Sequence, residues 1–170
     1  MTDQIAASFI LVSYNQEDTV AQSARAVLAQ ECAPLQIILS DDHSTDDTFE
    51  ILQDIAKNYT GPHYVVARQN VQNMGVNKHM SKAIELASCD FLIWSAGDDI
   101  SAPHRAQTIL DAYERTHAKL IYSDAYTQGP DGNPGTQTYR KALFYQPNFT
   151  LDQAATSFAL YLGAAVAWHK

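Results

Sequence analysis

Acidic side chains collect where short apolar runs end. Phe91-Leu92-Ile93-Trp94 leads into Ser95-Ala96-Gly97-Asp98-Asp99, Ile37-Ile38-Leu39 into Ser40-Asp41-Asp42, and Leu120-Ile121-Tyr122 into Ser123-Asp124. Adjacent carboxylates raise the cost of ionising each other, and a divalent cation relieves that cost. Asp98 and Asp99 therefore read as a metal site ahead of a merely acidic helix entrance. For Asp41 and Asp42, capping and turn chemistry accounts for the nearby Ser44, Asp46 and Asp47. It accounts less well for two acids at a strand end, where a carboxylate can accept the imide N–H of a uracil or thymine ring. Tyr14 and Asn15 after the first run, and Asn73-Met74-Gly75, each read as ordinary turns when taken alone. His43, His79 and His104 form no metal-ligand spacing and read as surface or capping histidines. Cys32 and Cys89 lie far apart and read as reduced, mostly buried thiols. No G-x-G-x-x-G or Walker pattern occurs, which weakens a dinucleotide or P-loop reading.

The elements that must position these groups alternate. Phe9 to Val12 is a buried strand, and from Asp18 a helix buries Val20, Ala24, Val27 and Leu28, with Glu17 and Asp18 suiting its positive end. After the Ile37 strand, Ser44 and Asp47 have capping-box spacing before a helix with an apolar stripe of Phe49, Leu52, Ile55 and Ala56. Tyr64 to Ala67 is a third strand, followed by a helix carrying Met80, Ala83, Ile84 and Ala87. Pro103 takes a first-turn position before Ala106, Ile109, Leu110 and Tyr113. Gly129 to Gly135 is a turn by composition, and a last helix begins near Leu151. Buried strands alternating with amphipathic helices predict an α/β fold, a mostly parallel sheet flanked by helices on both faces. Ligands in such sheets bind beyond the carboxyl ends of the strands, where the acids are.

The 170 residues suit one domain, and 46% hydrophobic with 18% charged residues fits a soluble protein. A formal net charge of −8, with no Lys/Arg cluster, argues against nucleic acid or an anionic membrane surface as the main partner. With no leader and no run near the length of a membrane span, the expectation is a cytoplasmic protein. Peripheral attachment to the inner face of the membrane is left open for a longer chain. Asn148-Phe149-Thr150 matches a glycosylation sequon by coincidence on this reading.

Taken in order, Val12-Ser13-Tyr14-Asn15, Asp41-Asp42-His43-Ser44-Thr45-Asp46, Asn73-Met74-Gly75 and Ala96-Gly97-Asp98-Asp99 resemble the inverting GT-A glycosyltransferases of family 2. The resemblance covers roughly residues 7 to 126, with 127 to 170 as the start of an acceptor-side part. It implies a Rossmann-like, C-terminally truncated GT-A domain. It also implies a nucleotide-diphosphate sugar donor, UDP-linked as first choice, and transfer with inversion to a saccharide or lipid-linked hydroxyl in cell-surface polysaccharide synthesis.

On the same basis Tyr14 stacks on or flanks the base, Asp42 rather than Asp41 takes the base imide, and Asp98 meets ribose or metal. Asp99 ligates Mg²⁺ or Mn²⁺ on the diphosphate, while Val12, Asn15, Asn73 and Gly75 complete the nucleotide-binding set. The further acid that the family often places two residues before Asp98 is Ala96 here. Inverting transfer needs a general base, and the resemblance places it beyond Lys170, after a strand that begins at Gly163-Ala164-Ala165-Val166-Ala167-Trp168. Truncation would expose apolar surface and favour a homodimer. Two other readings use the same acids: a receiver-like Mg²⁺-binding module, which expects a lysine at a late strand end, and a metal-dependent phosphohydrolase.

Overall fold

The computed structural model describes residues 5–123, 125–128, 134–138 and 166–169. Four strands and four helices alternate: β1 Ser8–Ser13, α1 Val20–Leu28, β2 Gln36–Asp41, α2 Thr48–Lys57, β3 Tyr64–Gln69, α3 Val76–Glu85, β4 Phe91–Ala96 and α4 Arg105–Thr116. Then come β5 Leu120–Tyr122, β6 Ala125–Gln128, β7 Pro134–Thr138 and β8 Val166–His169. The main sheet has the order β3-β2-β1-β4-β8-β5, and β6 pairs with β7 separately. Strands β1 to β4 pair in parallel, whereas β8 is antiparallel to both β4 and β5.

Continuous apolar runs fit strands buried on both faces. Phe9 and Leu11 of β1 pack with Val20, Ala24 and Val27 of α1, Leu52 of α2, and Ala106 and Ile109 of α4. Ile10 points to the other face and joins Ile38, Leu92 and Trp94 against Ala83, Met80 and Ile84 of α3. Trp94 also meets Trp168 of β8, with ring centroids 5.1 Å apart.

The mostly parallel sheet with helices on both faces is as expected, but several local expectations are corrected. Helix α1 starts at Val20, and no acid lies in its first turn. Instead Glu17 reaches across to accept the Asp47 N–H at 3.0 Å, because the start of α2 has the unmet donors. The capping box does not form: Asp47 at the N-cap of α2 makes no side-chain cap bond. Asp46 takes the Thr48 N–H at 3.1 Å, and Ser44 is turned toward Asp41. Pro103 precedes the N-cap His104 of α4 and accepts the Glu31 N–H through its carbonyl. Pro134 and Gly135 belong to β7, not to the turn before it. Asp124, the sequon, the helix near Leu151, Gly163 to Ala165 and most of the acceptor-side part lie outside the described residues.

Candidate functional site

Strand β1 continues to β2 and β3 on one side, while β4 returns to its other side. The order of connection reverses between β1 and β4, which is where open parallel sheets form a crevice beyond their carboxyl ends. Tyr14 and Asn15 leave β1 there, and Gly97-Asp98-Asp99 leaves β4. The two loops are joined by Gly97 N–H donating to the Val12 carbonyl at 2.9 Å and by Thr19 Oγ1 donating to the Gly97 carbonyl at 2.8 Å. Gly97 is needed at this close approach, since a Cβ there would lie 2.4 Å from Gln16 Oε1 and 3.0 Å from Ser13 Cβ.

The β1 loop is also sewn to the β2 loop. Asn15 is left-handed, with φ 50°, and its Oδ1 accepts the Thr45 N–H at 2.9 Å. Ser44 Oγ accepts the Asn15 N–H at 2.8 Å, and Thr48 Oγ1 accepts the Gln16 N–H at 2.7 Å. Asn15 thus spends its side chain on loop geometry. Its neighbour Tyr14 remains 44% exposed, an aromatic face at the rim of the crevice.

Asp41 and Asp42 part company. Asp41, fully buried in the last position of β2, accepts from Ser13 Oγ, Ser44 Oγ, the Ser44 N–H and Gln69 Nε2. An ionised carboxylate has about four acceptor positions, so this one is filled. Asp42, 3% exposed, turns to the loop before α3. Its Oδ1 accepts from Asn70 Nδ2 at 2.5 Å and the Met74 N–H at 3.0 Å, while among the described residues its Oδ2 accepts only the Gly75 N–H at 2.9 Å. Gly75, with φ +75°, makes that turn possible. Asn73 is exposed, and its Oδ1 accepts the same Gly75 N–H at 3.0 Å.

Behind Asp42 lies a polar chain that the sequence reading missed. Arg68 donates through Nη2 to Asn70 Oδ1 and through Nη1 to Ser40 Oγ at 3.0 Å; Ser40 Oγ is 2.7 Å from Nε2 of His79. His79 is buried, contrary to its reading as a surface or capping residue. Burial pushes its pKa below the usual histidine value, with Arg68 adding to the effect and Asp42 opposing it. The available signal was Arg68 itself, a charge inside an otherwise apolar strand run.

Asp98 and Asp99 are exposed as residues, and among the described residues neither carboxylate accepts a hydrogen bond or forms an ion pair. Desolvation of its carboxyl, then the charge of Asp98, raises the Asp99 pKa; Arg105 opposes this. Arg105 lies beneath the loop, donating to the Trp94 carbonyl at 2.9 Å, Ser101 Oγ at 3.2 Å and Ser123 Oγ at 3.4 Å. Its guanidinium stands 5.5 Å from the centre of the Phe9 ring. Burial brings its pKa down to about 10, against the pull of Asp99. No group of three His, Cys, Asp or Glu residues able to hold a metal occurs among the described residues. Two free hard oxygen donors suit Mg²⁺ or Mn²⁺ when a ligand's phosphates and water supply the rest.

Residues 8–165 match Glycosyl transferase family 2. The chain belongs to that family. Among curated relatives of this family 2 chain is the abequosyltransferase RfbV of Salmonella typhimurium, 28% identical over 126 residues, which cover 73% of this chain and 37% of RfbV. The chain spans about a third of the length of the curated relatives it matches first.

Among solved structures, S. aureus TarS 1-349 superposes with TM-score 0.70 at 19% identity, covering 95% of this chain and 46% of that one. Its complex with UDP-GlcNAc gives 0.59 at 21% identity, over 66% and 32%. The Pyrobaculum calidifontis mannosyltransferase PcManGT in complex with GDP-Man and Mn²⁺ gives 0.56 at 16% identity, over 73% and 36%. These likenesses establish the GT-A fold of the family 2 chain. Among the described residues no helix is long and apolar enough to cross a membrane.

Proposed function

We propose that this chain forms the donor-binding part of an inverting glycosyltransferase that takes a nucleotide-diphosphate sugar, UDP-linked by preference. The sugar passes to a saccharide or lipid-linked hydroxyl in cell-surface polysaccharide synthesis. The observation that carries this reading is that neighbouring carboxyl-end loops of one sheet carry an exposed aromatic ring after β1, a buried carboxylate with an unfilled acceptor position after β2 and, after β4, a pair of acids without hydrogen-bond partners among the described residues. Tyr14 lies against the base, Asp42 Oδ2 accepts its imide N–H, and Asp98 and Asp99 hold Mg²⁺ or Mn²⁺ at the diphosphate. Val12 and Asn15 shape one wall of the nucleotide site; Asn73 and Gly75 shape the other. The metal, when bound, stabilises charge gathering on the leaving diphosphate. Support for a nucleotide sugar and a divalent metal also comes from the ligands named with TarS and PcManGT.

The general base lies beyond Lys170 in this proposal. The receiver-like alternative is disfavoured because β5 ends at Tyr122 and is followed by Ser123 where that reading expects a lysine, and because the acceptor positions of Asp41 are filled. Calorimetry with UDP, UDP-sugars and GDP-sugars, with and without Mn²⁺, tests the reading. Metal-dependent binding of a UDP-sugar is expected, and the absence of binding to every nucleotide sugar would overturn it.

A further inference from the structure

Asp41 and Asp42 are adjacent carboxylates, 0% and 3% exposed, and buried carboxylates need hydrogen-bond and charge partners. Their hydrogen-bond donors are all neutral: hydroxyls, amides and backbone N–H groups. The cation whose field reaches both is Arg68 of β3, itself half-buried. Its guanidinium is fixed at two points, Ser40 Oγ on β2 and Asn70 Oδ1 just past β3. Ser40 is in turn bonded to His79 of α3, so the fork is set by three elements.

The Asn70 amide is thereby given one orientation. Its oxygen faces Arg68 and its NH₂ donates to Asp42 Oδ1 at 2.5 Å. Asn70 is buried, and its backbone is held by its N–H donating to the Asp41 carbonyl at 2.9 Å and by His43 Nδ1 3.2 Å from its own carbonyl. With Oδ1 occupied twice and the Gly75 N–H on Oδ2, the acceptor position left to Asp42 is on Oδ2.

We propose that Arg68 is a positioning residue for nucleobase selection. Through Asn70 it aims the Asp42 carboxylate, so that the site takes a base with an imide N–H and rejects cytosine. The proposal rests on the assignment of Asp42 to the base. Uracil offers an N3–H donor at the position where cytosine offers a lone pair. A carboxylate oxygen aimed at that position bonds the first and repels the second, whereas a misdirected one distinguishes them poorly. Arginine is suited to this because its planar fork serves Ser40 and Asn70 together; lysine brings a point charge.

The test titrates UDP and CDP, in excess Mn²⁺, against the full chain and its Arg68→Met and Arg68→Lys variants, with a thermal melt of each protein alone. Wild type is expected to prefer UDP by tenfold or more. Arg68→Met should lose at least tenfold in UDP affinity with CDP affinity unchanged or improved, and Arg68→Lys should fall between. A general structural loss would weaken both nucleotides together and leave their ratio unchanged. An unchanged UDP/CDP ratio in Arg68→Met overturns the proposal and leaves the base assignment standing. Should Arg68→Met fail to fold, an unchanged ratio in Arg68→Lys overturns it equally. A wild type that binds UDP no better than CDP, or binds neither, removes the base assignment and the proposal together.

Discussion

Asp41 and Asp42 are adjacent in the chain, yet their carboxylates serve different loops: Asp41 accepts the Ser44 N–H of the β2–α2 connection, and Asp42 accepts the Gly75 N–H at the start of α3. One carboxylate is spent on the loop that follows its own strand, and the other on the loop before α3.

Asp41→Ala should therefore act on stability. It strands the part-buried Ser44 N–H and Gln69 Nε2, a loss of about 1–3 kcal/mol. Urea unfolding measures it. Asp42→Ala should cost less stability and remove most of the UDP affinity, read by titration of the folded variant.

Asp99→Ala should abolish the Mn²⁺ dependence of nucleotide binding while leaving the fold intact, because the carboxylate makes no hydrogen bond among the described residues and its charged form is disfavoured by desolvation and by Asp98. The melting temperature at neutral pH should stay level or rise. Mn²⁺-dependent affinity that survives in this variant would move the metal site elsewhere.

Arg105→Met should destabilise the protein by about 2–4 kcal/mol, since it orphans the Trp94 carbonyl and removes the bridge to Ser101 and Ser123. Arg105→Lys should recover only part of that loss, as one ammonium cannot span the same acceptors. Denaturant midpoints of the two variants decide this.

Two glycines should separate by mechanism. Gly75→Ala forces an L-residue to φ 75°, ψ 157°, a region essentially reserved for glycine, and should cost about 1–3 kcal/mol, with no neighbour in the way. Gly97→Ala is crowded by Gln16 and Ser13, and Gln16 Oε1 accepts the Tyr14 N–H at 3.4 Å. It should displace the Tyr14 loop and weaken UDP binding at least threefold. Paired melting and nucleotide titrations distinguish the two.

Acid should weaken the fold through its buried histidines. Burial depresses the pKa of both His79 and His63 below the ordinary value of 6.5. The unfolded chain then binds more protons than the folded one, so stability is full above pH 6.5 and falls as the pH drops below it. Neutral His79 can accept the Ser40 hydroxyl proton while Arg68 donates to the same oxygen; a protonated ring would face Arg68 charge to charge. His79→Gln should flatten the decline in melting temperature between neutral pH and pH 5, and an unaltered slope would assign the decline to other groups.

The alternation of elements was legible because β1, β2 and β4 are apolar on both sides, and the helices carry one stripe each. The positions of Tyr14, Asp42 and Asp98-Asp99 at strand ends were legible for the same reason. Local capping was misread at Ser44: its spacing to Asp47 fits a capping box, but a buried Asp41 outbids an exposed helix end for its hydroxyl. His79 was misread because its helix face depends on what lies beneath, and only the assembled sheet brings Ser40 and Arg68 there.

By itself the sequence determined the α/β class, the family pattern and the strand ends at which the acids sit. These follow from local periodicity and from residue types that strands and turns require. Tertiary structure alone decided which of two neighbouring aspartates is spent and which keeps a lone pair. That depends on donors 28 to 33 positions away, Gln69, Asn70, Met74 and Gly75, arriving over one strand end. No spacing along the chain encodes such an arrival; the parallel crossover from β2 to β3 does.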